Sequence, residues 1–391
     1  MLPVHNFNRR AALKLTLLAL ALTANLLVAA PLESNHAKPF AHPGLLHNQD
    51  ELVFIKQKLT TGEEPWKSAW EKLRSADEAS LNYTPEPCAN VVRGVRNKPN
   101  IGSSEMSNDS VAAYTHALQW CLTGKQAHAK KAIEILNVWS ATLQSVSGHD
   151  AKLLVGMDGV KFCNAAELLR HTSANWLSDD QKRFEQMLRQ VFYPVIKDFY
   201  PTANGNWDAS MIQTMLAMGI FLDDRAMFDR AANYYLGGKG NGSIKKYLNE
   251  FGQCQESGRD QLHVQMGLGF LGCACEMAWK QNIDLYGAAD NRLALGFEYS
   301  ARFNLGEEVR YEPYRSVEGR YHYKSISKKG RGRFRPIFER VSHHYNQRKG
   351  LKMPYCQKVL AKIRPEEEHN QHMPWGTLMF YEQPIAELEN D

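Results

Sequence analysis

From Asp50 to about Asn304, apolar residues return at every third or fourth position, in runs punctuated by Gly, Asn or Asp. That period puts the apolar side chains on one stripe of a helix, whereas a strand alternates its faces every second residue. Three segments share one design. Ala112 to Leu122 turns at Thr123-Gly124 into Ala127 to Leu143, Met211 to Leu222 is followed by Arg225 to Leu236, and Gln261 to Trp279 turns near Asn282 into Asn291 to Phe303. The pairs share little identity, which excludes a short-period solenoid. Repeated antiparallel helix pairs predict a mainly α chain, an (α/α) toroid or barrel whose inner helices line a cleft. No linker dense in Pro, Gly or Ser interrupts it, so residues 31–391 are expected to form a single domain.

Beyond Gly306 the texture changes. Arg310 to Arg335 is rich in Tyr, Arg, Lys and Gly without a helical stripe and predicts loops with short strands. A helix is expected from Pro336, a suitable first-turn residue, to Lys349 before Gly350. Gln383 to Asp391 is expected to fray.

Residues 1–30 have the pattern of a signal peptide. Arg9, Arg10 and Lys14 precede the apolar run Leu15 to Ala24, and the small residues Ala29 and Ala30 follow. Arg9 to Lys14 also resembles a twin-arginine signal. The mature chain is therefore expected to be exported, periplasmic or secreted, and free of the membrane once the signal is removed. Leaving out the three basic residues of the signal, 44 Lys and Arg face 42 Asp and Glu, a balance that argues against a nucleic-acid partner. Of the seven cysteines at least one must be free of intramolecular pairing, and no C-x-x-C pair points to zinc. Cys273 and Cys275 fall in an apolar stretch and read as small buried residues.

Three polar knots carry the candidate chemistry. Gln253 to His263 places Glu256, Arg259, Asp260 and His263 at a helix start; Asp260 reads first as an N-cap, whereas capping explains less of Glu256 and His263. Asn204-Gly-Asn-Trp-Asp208 pairs an amide, Asn206, with the ring of Trp207, a combination suited to stacking on and hydrogen bonding to a sugar. Tyr311 to Tyr323 packs Tyr314, Arg315, Arg320, Tyr321, His322 and Tyr323 into one loop, followed by Lys328, Lys329, Arg331, Arg333 and Arg335. In an exported chain such cationic density suits an acidic polysaccharide. His343 and His344, on the late helix, read as structural.

These motifs resemble polysaccharide lyases of the alginate lyase superfamily, most closely polysaccharide lyase family 38, whose members cleave alginate or glucuronan. The resemblance spans most of the mature chain and includes Gly159 to Arg170, Asn204 to Asp208, Gln255 to His263 and Pro336 to Tyr345. The second and third stretches carry the specificity, and the others are largely helix packing. It implies a helical toroid and β-elimination, in which the C5 proton of a uronate is removed and the 4-linked oxygen is expelled. Related lyases use a Tyr, a His, an Asn and an Arg. On that basis Tyr321 and His263 are the candidate acid and base, with Tyr314 and Tyr323 as rivals to Tyr321. Asn206, Arg315 and Glu256 are candidates to neutralise the substrate carboxylate, and Trp207, Arg259 and Tyr314 to bind substrate. No cofactor or metal is expected, and the partner is a polyuronate. Two alternatives stand beside this reading: a glycoside hydrolase using Glu256 with Asp208 or Asp260, and an exported polyuronate-binding protein without catalysis.

Overall fold

The computed structural model describes residues 38–366 and 370–384. The expected signal peptide lies outside the described residues, as does all but the beginning of the expected frayed end. Helices α1 (Gln49–Thr61) and α2 (Trp66–Ser75) come first. A small sheet follows, in which β1 (Asn90–Arg93) pairs antiparallel with β2 (Asn100–Ile101) and parallel with β3 (Ser145–Ser147). Between β2 and β3 run α3 (Ser103–Thr123) and α4 (Gln126–Thr142), the first expected pair. Gly124 closes α3 at φ 68°, a left-handed turn that only glycine adopts without steric cost.

The second expected pair is α8 (Gly205–Phe221) with α9 (Arg225–Gly237), and the third is α11 (Gln261–Lys280) with α12 (Ala288–Asn304). A further unit lies between the first two: α5 (Ala151–Arg170), then α6 (Ser178–Met187), a π-helical turn at Leu188–Phe192 and α7 (Tyr193–Ile196). A short α10 (Ile244–Tyr247) precedes α11. The helices α3, α5, α8 and α11 pack side by side in that order, with α4, α6, α9 and α12 on the outside. This is the (α/α) toroid.

Burial explains why the inner layer has almost no polar stripe. In α5 every residue except Lys152 and Arg170 is buried, and in α8 every residue except Trp207. In α11 the exceptions are Leu262, His263 and Lys280. Trp207 and His263 both sit near the N-terminal ends of their helices, where the inner layer opens to solvent.

The C-terminal part closes the ring. Strands β4 (Tyr314–Arg315) and β5 (His322–Tyr323) are short, as expected for the Tyr/Arg-rich segment, and pair as a hairpin, with Tyr314 opposite Tyr323 and Arg315 opposite His322. The late helix begins at Phe338 instead of Pro336; α13 (Phe338–Ser342) runs into a π-helical turn at His343–Arg348. Helices α14 (Pro354–Ile363) and α15 (Gly376–Phe380) follow, and α15 packs on α1 and α2. One hydrophobic core extends from Phe40 to Phe380. Gln383 is buried and donates to the Met379 carbonyl, so the expected fraying does not begin there. All seven cysteines are unpaired, Cys273 and Cys275 being buried within α11. Among the described residues no helix is long and apolar enough to cross a membrane.

Candidate active site

A cavity of 560 Å³ opens where the N-terminal ends of α5, α8 and α11 converge, a size typical of small-ligand clefts. Unpaired amides and aligned peptide dipoles make such helix ends favourable to anions. Five cationic side chains line the cavity: Arg93, Arg96, Arg259, Arg320 and Lys329. Its two acidic residues, Asp150 and Asp260, are each bonded to an imidazole, of His149 and His263 respectively. The surface left for a ligand is therefore basic.

Asp260 is the N-cap of α11, accepting from the His263 amide at 2.9 Å through Oδ1. Its second oxygen faces His263 Nδ1 at 2.7 Å. Partial burial alone would raise this carboxyl, but the two hydrogen bonds from His263 and the charges of His263 and Arg259 hold it down at about 2. An ionised carboxylate only accepts, so Nδ1 carries the proton in neutral His263 and Nε2 keeps its lone pair. The sequence expectation for Asp260, a cap, is incomplete: the same residue fixes the tautomer of the imidazole.

Asn206 is fully buried yet lines the cavity. Its amide nitrogen reaches only the Met266 sulfur, at 3.4 Å, and its carbonyl oxygen has no partner. A buried amide with unused capacity is costly unless a ligand completes it. Beside it Trp207, half-buried, meets His149 and Tyr200 edge to face at 5.6 and 5.5 Å.

The Tyr/Arg-rich hairpin supplies the opposite wall. It is fastened by paired hydrogen bonds between Gln253 and the Glu312 backbone, at 2.7 and 2.8 Å, and by Asn241 accepting from the Val317 amide at 2.7 Å. It also closes on Gly258, where a Cβ would lie 2.2 Å from that of Tyr323. Of the three candidate tyrosines only Tyr321 lines the cavity. Its ring stacks parallel to Tyr323 at 6.3 Å with the Arg320 guanidinium 5.4 Å away, and its hydroxyl makes no hydrogen bond among the described residues. The Tyr314 hydroxyl donates instead to the Lys246 carbonyl, and burial pushes that phenol up to about 12. Burial and the nearby Glu256 do the same to Tyr323.

Two carboxylate-neutralising candidates are displaced by this geometry. Arg315 is exposed on β4, outside the cavity wall, and Arg320 of the same hairpin takes the position inside it. Glu256 is fully buried behind the wall and does not line the cavity. Its carboxylate accepts from the Asn206 backbone N–H at 3.1 Å, the Tyr247 hydroxyl at 3.1 Å and Arg259 at 2.8 Å. It thus closes the N-terminus of α8 from a neighbouring loop, as Gln255 does for Gly205, and aims Arg259 at the cavity. Burial raises the Glu256 carboxyl, with Arg259 and His263 pulling it down. The basic run is likewise divided. Lys329 lines the cavity, while Arg331 and Arg335 bond to the carbonyls of Phe303 and Leu262.

The residues that sequence reasoning missed come from scattered loops. Arg93, Arg96 and Asn97 lie at and after the end of β1, His149 just before α5, and Tyr200 ahead of α8, where its hydroxyl accepts from Arg320 at 3.4 Å. His343 and His344 are buried away from the cavity, and desolvation lowers both to about 3. A hydrolase pair is not favoured. Asp208 is buried and accepts from the Tyr200 amide at 2.7 Å and the Tyr234 hydroxyl at 2.9 Å, while Glu256 and Asp260 are engaged as described.

The family described as Alginate lyase matches residues 69–309. Among solved structures the chain resembles an alginate lyase from Bacteroides ovatus, at 14% identity and TM-score 0.61 over 88% of this chain and 100% of that one. It resembles alginate lyase A1-III from Sphingomonas species A1 at 14% identity and TM-score 0.63, over 88% of this chain and 97% of that one. A histidine-to-alanine variant of alginate lyase A1-III complexed with tetrasaccharide matches at 15% identity and TM-score 0.65, over 89% of this chain and 98% of that one. No curated protein sequence matches significantly. With the family matched over more than half its length and the same toroid, the chain belongs to the alginate lyase family and is a polysaccharide lyase.

Proposed function

We propose that the enzyme cleaves a 1,4-linked polyuronate, alginate or glucuronan, by β-elimination, with His263 as base and Tyr321 as acid. The observation that carries this reading is the Asp260-held imidazole in a cleft of five cations. His263 Nε2 takes the C5 proton, and the electrons of that C–H bond form the C4=C5 double bond. The C4–O4 bond breaks, and the Tyr321 hydroxyl gives its proton to the departing oxygen. Exchange with water then resets both side chains. The negative charge that builds on the C5 carboxylate in between is met by the Asn206 amide, Arg259 and Arg320. Trp207 and Tyr200 offer faces on which sugar rings stack.

These groups supply proton transfer and charge neutralisation from the chain itself. Chelator-treated enzyme is therefore expected to go on producing unsaturated ends, and complete, metal-restorable loss of activity in enzyme that stays folded would contradict the scheme. Export, read from residues 1–30, suits a substrate too large to enter a cell. It is tested by sequencing the N-terminus of the protein recovered outside the cytoplasm, which should begin near residue 31. The elimination itself is tested by the absorbance of the conjugated unsaturated uronate, since hydrolysis creates no double bond.

A further inference from the structure

At the opposite end of the inner layer, three potential ligands meet. His42, from the segment preceding α1, and Glu167 and His171, one turn apart at the end of α5, bring one donor atom each within 4.8 Å of one another. From Asp150 at the cleft to Glu167, α5 rises about 25 Å, so this cluster is separate from the catalytic cavity.

We propose that His42, Glu167 and His171 form a structural binding site for a divalent transition-metal ion of the zinc type. The Glu167 carboxylate is buried, at 1% exposure. Its Oε1 is met by His42 Nδ1 at 2.7 Å and by the Gly44 amide at 3.0 Å. Its Oε2 has no hydrogen-bond partner, and His171 Nε2 stands 3.7 Å away. That separation is close to what two ligands of one tetrahedral ion require, given metal–ligand distances of about 2.0–2.2 Å.

The other nitrogen of His42 strengthens the assignment. Nε2 faces Asp223 Oδ1 at 3.2 Å. A carboxylate behind a ligating imidazole fixes its tautomer and raises its basicity, the usual outer-shell arrangement at metal–histidine sites. With Nε2–H turned to Asp223, Nδ1 is left to hold a metal in place of a second proton. Two imidazoles with one carboxylate also suit zinc better than magnesium or calcium, which favour all-oxygen sets. The rings of His42 and His171 are now stacked 4.3 Å apart, so closing the set requires His171 to turn out of that stack. His171 is 27% exposed, which gives the ring room to turn and an ion a way in.

The metal would pin the segment before α1 to the end of α5, adding to the Gly44 contact and to the bond from the Leu46 amide to Asn164 at 3.2 Å. The test is zinc titration of chelator-stripped full-length protein, by calorimetry and by thermal unfolding, with magnesium as control. Wild-type protein should bind one equivalent of zinc and unfold at a higher temperature with it, and magnesium should do neither. His171→Ala, at a partly exposed position that leaves the Glu167–His42 contact intact, should lower zinc affinity at least about ten-fold, as losses around metal sites commonly do. Glu167→Gln keeps the shape and should lose affinity similarly. Equal zinc binding by wild type and His171→Ala, or no binding by folded wild type, would overturn the proposal and leave the cluster an ion-pair tether.

Discussion

Asp260 holds His263 twice, through the backbone amide at 2.9 Å and the ring Nδ1 at 2.7 Å, so the start of α11 and the orientation of its cleft-facing imidazole are set by one carboxylate. Asp260→Asn should therefore do more than weaken a cap. Asn caps a helix about as well as Asp, so the cap itself should lose only the charge of the carboxylate, and turnover should fall as well, because an amide can donate to Nδ1 and favour the wrong tautomer. His263→Ala should lower kcat by roughly 10²- to 10⁴-fold. Unfolding curves and kcat measured together separate the two effects; an Asp260→Asn enzyme that lost stability alone would show that His263 does not depend on it.

The depressed Asp260 carboxyl also predicts an acid limb in stability. A group whose folded pKa lies near 2, below its ordinary 3.8, stabilises the fold above about pH 4, and that contribution is lost as pH falls towards 2. Thermal midpoints across this range should drop less steeply for Asp260→Asn than for wild type.

Tyr321→Phe keeps the ring and its stack on Tyr323 while removing the one hydroxyl of the three that reaches the cavity. Turnover should fall by about 10²- to 10⁴-fold with little change in KM. Tyr314→Phe, whose hydroxyl is spent on the Lys246 carbonyl, should retain most activity. The reverse ranking would move the acid to another tyrosine.

Arg320 and Lys329 line the basic cleft whereas Arg315 does not. Arg320→Ala and Lys329→Ala should raise KM on ionised polyuronate and flatten its dependence on salt, while Arg315→Ala should leave both near wild type. Esterified polymer should be a poor substrate. If it were cut as readily as the free acid, neutralisation of the carboxylate would not be part of the reaction.

Glu366 gives a second pH prediction, remote from the cleft. Burial, with Glu339 alongside, raises its carboxyl to about 8 despite hydrogen bonds from the Phe338 and Glu339 amides. The folded state then binds a proton that the unfolded state releases near 4.5, so stability should decline as pH rises from about 4.5 to 8. Glu366→Gln should remove that slope in a series of thermal midpoints.

The helix pairs were legible because their outer members carry a stripe. Helix α5 gave no such signal: it is buried on nearly every side, and its apolar run is broken by Asp158 and Lys161, which pair with each other at 2.6 Å inside the protein. In the site, Asn206, Trp207, Arg259, His263 and Tyr321 were legible because polar and aromatic types crowd into short motifs at helix starts and in one hairpin. Sequence could not tell Arg315 from Arg320, since the hairpin register decides which side chain faces the cavity. Nor could it find Arg93, Arg96, His149 and Tyr200, which come from three separate segments and meet only when the ring closes. Glu256 was read as reaching substrate, and its burial against the start of α8 depends on a loop contact that no local pattern encodes.

The most direct test of the central claim is the ultraviolet absorbance of purified enzyme acting on polymannuronate, polyguluronate and glucuronan, with product length followed in parallel. The account predicts that on at least one of these polymers chain shortening and the unsaturated-uronate chromophore appear together, and that both vanish in His263→Ala. Shortening without the chromophore would mean hydrolysis, and binding without shortening would mean no catalysis; either result would contradict β-elimination at this site.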